Sequence, residues 1–130
     1  MKNLILVRGI PGSGKTTFAK IISPWNIAAD DCWAYDYTVD PRGFNFEESQ
    51  KAHQRCQECV QAWMEINRTP IVVHNTFVSL NSMLPYFTLA RAYGYQTHTL
   101  VIENRHMSES IHNVPNETLN KMKNNFEITL

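Results

Sequence analysis

The sequence predicts an α/β fold in which a parallel sheet is covered by helices on both faces, and three observations carry that expectation. Short apolar, β-branched runs alternate along the chain with helix-length amphipathic segments. The connections between successive runs are long enough for the crossovers that parallel strands require. A glycine-rich turn, residues 9–16 (GIPGSGKT), joins the first apolar run directly to the first amphipathic segment. At 130 residues the chain is expected to form one domain over 1–130.

The first strand is expected at 4–7 (LILV), short and apolar enough to be buried. After the glycine-rich turn, 16–22 (TTFAKII) reads as a helix stopped by Ser23-Pro24. Residues 25–29 (WNIAA) read as a short second strand ending at the acids Asp30 and Asp31. The stretch 32–46 is aromatic and turn-rich; its Asp40-Pro41-Arg42-Gly43 has the composition of a β-turn, which predicts a surface loop. Asn45 followed by Glu48 fits an N-cap with its capping-box partner. The helix that follows should run to about Asn67, with Ala52, Cys56, Cys59, Val60, Trp63, Met64 and Ile66 forming its buried stripe.

A third strand is expected at 70–74 (PIVVH), followed by the polar pair Asn75 and Thr76. The next helix should span 82–93, placing Leu84, Phe87, Ala90 and Ala92 inward, Gly94 at its stop and Pro85 within its first turn. Residues 97–102 (THTLVI) read as a fourth strand. The polar stretch 103–113 leads to Pro115, which opens a last helix with Leu119, Met122 and Phe126 on one face. Residues 128–130 can add an edge strand.

Composition narrows the function. The chain is 43% apolar and 18% charged, the range of a globular protein. No apolar run approaches the ~18 residues of a membrane span, so no membrane partner is expected. Twelve Lys and Arg balance twelve Asp and Glu, which argues against a surface coated for long nucleic-acid duplexes while permitting a small basic cleft. Three cysteines, Cys32, Cys56 and Cys59, are a sparse and odd set that points to the reducing cytoplasm. A lone C-x-x-C at Cys56 and Cys59 has no second pair to complete a zinc site and reads as core packing.

The chemistry lies in the glycine-rich turn. Gly9, Gly14, Lys15 and Thr16 occupy every fixed position of the phosphate-binding pattern G-x-x-x-x-G-K-[ST]. Glycines let the backbone curl so that its N–H groups point at phosphate oxygens, and the following helix adds the positive end of its dipole. Gly9, Pro11, Gly12, Ser13, Gly14, Lys15, Thr16 and Thr17 are therefore the expected nucleotide cradle. Lys15 reaches the β- and γ-phosphates, and the Thr16 hydroxyl ligates Mg²⁺. The third strand ends in His74 rather than in an acid; the acids stand at Asp30-Asp31. A carboxylate there can take the proton of an attacking hydroxyl and help to hold Mg²⁺. The plainer alternative is that this acid pair caps a loop.

Taken in order, LILVRGIPGSGKTTFAK, AADD, FNFEESQKAHQRCQ, VVHNTF, PYFTLARAYGY and HNVPNETLNKM resemble the polynucleotide 5′-hydroxyl kinase group of P-loop kinases. That group includes the kinase half of phage polynucleotide kinase and small stand-alone AAA-type ATP-binding relatives. The resemblance covers nearly the whole chain. It implies a three-layer P-loop kinase fold, a four- to five-stranded parallel sheet with the first strand central. It also implies ATP–Mg²⁺ transfer of the γ-phosphate to a hydroxyl, with the 5′-hydroxyl of DNA or RNA as acceptor. Residue by residue, Lys15 and Thr16 match the phosphate and metal holders, and Asp31 the general base. Asn75 and Thr76 match the acceptor-side polar pair, joined by His74 at the strand end. Arg105 is the single arginine of the lid segment, with His106 and His112 beside it.

The chain also departs from that pattern. The family's acceptor-gripping arginine, three residues after the base, is Ala34 here, and the acid of its VVDNT strand is His74. Arg42, Arg55 or the aromatics Trp33, Tyr35 and Tyr37 can supply the grip instead; packing is the alternative use of the aromatics. Two other functions stay open: a kinase of nucleosides or other small hydroxylated molecules, and a nucleotide-binding module that acts through a partner without catalysis. No base-reading motif separates ATP from GTP, and the sequence is silent on oligomeric state.

Overall fold

A computed structural model of the chain describes residues 1–10, 12–32 and 46–103, with 46–48 as backbone only. Several expectations lie outside the described residues: Pro11, the loop bearing Trp33, Ala34, Tyr35, Tyr37 and Arg42, and the Asn45–Glu48 capping box. So do Arg105, His106, His112, the helix after Pro115 and the edge strand at 128–130.

The described elements are β1 (Asn3–Arg8), α1 (Lys15–Ile22), β2 (Asn26–Ile27), a single 3₁₀ turn (Ala29–Cys32), α2 (Phe46–Glu65), β3 (Ile71–Asn75), α3 (Leu80–Tyr93) and β4 (Gln96–Val101). Every strand pair is parallel, and the sheet order is β2-β3-β1-β4. β1 therefore lies inside the sheet between β3 and β4, as the resemblance implied. No helix among the described residues is long and apolar enough to cross a membrane.

Strand alternation sends neighbouring side chains to opposite faces, and both faces are covered. Leu4, Leu6, Ile71 and Val73 join Ile27, Cys56, Val60, Met64, Met83 and Tyr86 in the core beneath α2 and α3. Val7 and Val72 meet Ala19 on the opposite face, with Phe18 and Ile22 of α1 packed against them. Burial on both faces is why β1 and β3 read as continuous apolar runs rather than alternating ones. Each such Leu, Ile or Val contributes about 1.5–3 kcal/mol through burial.

α2 keeps the predicted stripe: Ala52, Cys56, Val60 and Met64 are buried at four-residue spacing, with Cys59 and Trp63 at its margin. Ile66 leaves it. The helix stops at Glu65, the chain turns through Asn67 at φ 59°, and Ile66 is 55% exposed. The cysteines are free thiols; Cys56 lies in the core and Cys59 packs against it, as expected, and Cys32 packs there too.

Two further expectations need correction. α3 begins at Leu80 rather than 82, so Pro85 sits in its second turn. Its buried face is Met83, Tyr86 and Ala90, while Leu84 and Ala92 are exposed and Phe87 is half-buried. Of the four residues expected inside only Ala90 is buried, because Tyr86, stacked edge-on to Phe77 at 5.6 Å, sets the rotation of the helix. Gly94 does stop it, at φ 74°. The second strand is only two residues long, because the amides that would continue it are taken elsewhere. The Ala28 N–H donates to Asp31 Oδ2 at 3.0 Å and the Ala29 N–H to Asn75 Oδ1 at 2.8 Å.

Candidate nucleotide-binding site

β1 delivers the chain to the glycine-rich turn at the carboxyl edge of the sheet, the edge where open parallel sheets bind ligands. Gly9 cannot carry a side chain: a Cβ there would lie 2.5 Å from Ser13 Oγ and 2.7 Å from the Ile102 carbonyl oxygen. Gly12 at φ 82° and Gly14 at φ 97° hold the left-handed backbone that closes the turn. The Ser13 N–H donates to the Ile10 carbonyl at 3.2 Å, and the Phe18 N–H to the Gly14 carbonyl at 3.1 Å, so α1 starts directly behind the loop. Ser13 Oγ is buried without a hydrogen-bond partner among the described residues. Such an orphan costs about 1–3 kcal/mol and is the kind of exception found where a ligand is to be met.

Lys15 lies against this turn. Its Nζ donates to the Ile10 carbonyl at 3.1 Å, and burial lowers its pKa to about 8, with Asp30 opposing. Thr16 and Thr17, the next two residues of α1, are exposed. Thr16 Oγ1 stands 3.4 Å from His74 Nδ1, across from the end of β3. His74 is 3% exposed, its Nε2 has no partner among the described residues, and burial holds it below the ordinary imidazole value, against the pull of Asp31.

The acids and the polar pair meet beside this cradle. Asp31 is exposed, and its Oδ2 caps the 3₁₀ turn through the Ala28 N–H. The loop-capping alternative is thus realised in part, although the carboxylate still faces solvent. Asn75 is buried, and its Oδ1 ties the same turn to β3. Thr76 accepts the Gly9 N–H on its carbonyl at 3.2 Å, which links the loop after β3 to the phosphate turn. Cys32, next to Asp31, accepts from Arg55 Nη1 at 3.1 Å, so the exposed Arg55 guanidinium is held next to the acid-bearing turn.

Arg8 was not among the sequence candidates. It is 2% exposed, and its Nε donates to the Phe77 carbonyl at 3.0 Å. Phe77 is a non-glycine residue at φ 47°, a conformation that costs free energy and persists only when its surroundings hold it. Arg8 therefore braces the loop that carries Thr76. The signal was present as the one charged residue after four apolar ones, immediately before Gly9.

A nucleotide fits this arrangement: the cradle is closed by glycines, a cation faces it, and a buried hydroxyl lacks a partner. Mg²⁺ fits as well, in its usual manner. Among the described residues no three His, Cys, Asp or Glu side chains converge as a metal cage. Mg²⁺ needs none, since it takes one or two protein ligands and completes its shell with phosphate oxygens and water. A recess of about 380 Å³ between α2 and α3, with Gln57, Gln61 and Thr88 in its wall, shares no residue with this site.

Comparison with known proteins agrees with the architecture. Human NEDD4-binding protein 2 is 30% identical over 98 residues, 72% of this chain; the chain spans only 5% of that protein's length. A gluconokinase from Sinorhizobium meliloti superposes with a TM-score of 0.63 at 14% identity, over 96% of this chain and 75% of that one. The Pnkp1/Rnl/Hen1 complex contains a chain that superposes at 0.58 with 23% identity, over 92% of this chain and 38% of that one. The Mycobacterium tuberculosis APS kinase CysC gives 0.57 at 10% identity, over 95% and 96%. The family model AAA_33, described as an AAA domain, matches residues 4–129. A parallel sheet with helices on both faces, a glycine-closed phosphate turn and this match leave one assignment: the chain belongs to the AAA_33 family of AAA domains and has the three-layer fold of P-loop kinases.

Proposed function

We propose that this chain transfers the γ-phosphate of ATP, with Mg²⁺, to a hydroxyl acceptor, and that the acceptor is the 5′-hydroxyl of DNA or RNA. The observation that carries the reading is the tie between the two halves of the site. Asn75 fastens the turn bearing Asp31 to the end of β3, next to the strand that feeds the phosphate turn. In this reading Lys15 holds the β- and γ-phosphates, Thr16 ligates Mg²⁺, and Asp31 accepts the proton of the attacking hydroxyl. His74, Asn75 and Thr76 line the acceptor side, Asp31 assists the metal through water, and Arg105 neutralises charge from the lid. The nucleic-acid acceptor is supported by Arg55, whose exposed guanidinium at the Cys32 carbonyl can grip an acceptor phosphate where Ala34 cannot.

The test is phosphate transfer from γ-labelled ATP to a panel of 5′-hydroxyl DNA and RNA oligonucleotides, 3′-nucleotides, nucleosides and water. Asp31→Asn keeps an oxygen to accept the Ala28 N–H, so it is expected to bind ATP normally. Its turnover should fall by roughly 10²–10⁴-fold, the contribution of a general base. Arg55→Ala should raise KM for oligonucleotides and leave transfer to nucleosides unchanged. Equal turnover in wild type and Asp31→Asn would discard the base assignment. Label on small acceptors alone would make the protein a metabolite kinase, and ATP binding without transfer would make it a binding module.

A further inference from the structure

The carboxyl end of β3, facing α1, carries an imidazole and no carboxylate. His74 and Thr16 come from different elements, yet Nδ1 and Oγ1 are 3.4 Å apart. That is long for a hydrogen bond involving a hydroxyl, which favours about 2.7–2.8 Å between oxygens and only slightly more with nitrogen. A closure of about 0.4 Å from the observed 3.4 Å would bring the pair to the separation of two adjacent metal ligands. Two ligands at right angles on one divalent ion, each at about 2.1 Å, lie about 3.0 Å apart. The ring is 3% exposed and its other nitrogen has no partner among the described residues, so the Thr16 hydroxyl is the one hydrogen-bonding neighbour the described structure gives it.

We infer that His74 Nδ1 and Thr16 Oγ1 are adjacent ligands of the divalent ion that accompanies the nucleotide, so that this ion has a nitrogen in its coordination shell. This rests on the nucleotide-binding reading above and goes beyond it by assigning the metal preference. Mg²⁺ is a hard ion that takes oxygen ligands and sheds water reluctantly. An imidazole ligand favours later transition ions, whose affinity for nitrogen sites rises from Mn²⁺ through Co²⁺ and Ni²⁺. The neutral ring also supplies one negative charge fewer than a carboxylate would at the same place. The site should therefore prefer Mn²⁺ or Co²⁺ to Mg²⁺ by more than the nucleotide alone does.

The experiment uses the whole chain with Mn²⁺ and β,γ-methylene ATP, an analogue with no nitrogen in its phosphate bridge. Electron spin echo modulation of the bound Mn²⁺ is recorded on protein made with ordinary histidine and with ¹⁵N-histidine. A histidine nitrogen coupling that changes with the label is expected, and it should vanish in both His74→Asp and His74→Asn. Isotherms for the same analogue with Mg²⁺ and Mn²⁺ should show the ratio of affinities shifting toward Mg²⁺ by roughly tenfold or more in His74→Asp, the scale of changes in metal-site ligation. The wild-type spectrum needs no variant to fold: bound Mn²⁺ without a histidine coupling overturns the inference and leaves nucleotide binding intact. A coupling that survives in both variants also overturns it, since another histidine then supplies the nitrogen. Failure of wild type to bind the analogue with either metal would remove the nucleotide-binding reading itself.

Discussion

Lys15 shows what a side chain's surroundings add to a motif. The pattern places a lysine at the phosphates, but burial against its own loop lowers its pKa to about 8, with Asp30 only partly offsetting this. Its one hydrogen bond in the described structure is to the Ile10 carbonyl, a neutral acceptor. An arriving polyphosphate supplies the missing negative charge and favours the ammonium. Nucleotide binding near pH 8.5 should therefore take up protons. Calorimetry in buffers of different ionisation enthalpy measures this, and Lys15→Met should abolish the uptake. The stability of the free protein follows the same group with a definite sign. Its folded pKa lies below the unfolded 10.5, so the unfolded chain binds more protons between about pH 8 and 10.5. The burial penalty is complete below pH 8 and is relieved across that window, so wild type should gain stability relative to Lys15→Met as pH rises through it. A flat difference would show that the amine is not desolvated. Lys15's identity was legible in the sequence, whereas its proton affinity depends on burial and on the nearby Asp30 and was not.

At the scale of elements, the loops of the site are held by a few long-range polar contacts. Ser23 closes α1 and is 2% exposed. Its Oγ donates to the Pro70 carbonyl at 2.6 Å and accepts the Trp25 N–H at 3.0 Å, so one hydroxyl fixes the end of α1, the entry to β2 and the entry to β3. Ser23→Ala leaves the carbonyl and the amide without this partner and should cost about 1–3 kcal/mol, read as a lower urea midpoint at unchanged m-value. A cost below a few tenths would mean that water replaces the hydroxyl. Element identity was legible here because each segment announces its type: apolar β-branched runs for β1 and β3, four-residue spacing for α2, glycine after α3. What failed was rotation and length. Leu84 and Tyr86 both fit an apolar stripe on α3, and only the Phe77 ring opposite decides that Tyr86 is inside. β2 was expected at five residues and has two, because Asn75 and Asp31 capture its next amides through contacts 46 and 3 residues away in sequence.

For the whole molecule, the layer architecture was legible because a phosphate turn between an apolar run and a helix, followed by alternating elements, admits few arrangements. The central place of β1 was implied by the family resemblance, and the structure supplies its neighbours, β3 and β4. The bracing of the site was not legible, since Arg8 to Phe77 and Asn75 to Ala29 are set by three-dimensional closure of the sheet edge. Ligand binding and global stability are in any case one linked quantity. A ligand that binds only the folded chain stabilises it by RT ln(1 + [L]/Kd), about 2.7 kcal/mol at a hundredfold excess over Kd. For a domain of this size that corresponds to a rise in Tm of about 10 °C. Mg²⁺-free and Mg²⁺-bound ATP, each at a hundred times its own Kd, should give equal shifts; at one fixed concentration the tighter complex should give the larger. Lys15→Ala removes a desolvated cation, so the unliganded variant should melt no lower than wild type while losing most of the ATP-dependent rise. Thermal melts with and without ATP and metal separate the two effects. A variant that kept the full shift would show that Lys15 does not contact the nucleotide. A variant that melted far below wild type without ligand would show that the phosphate turn also supports the fold.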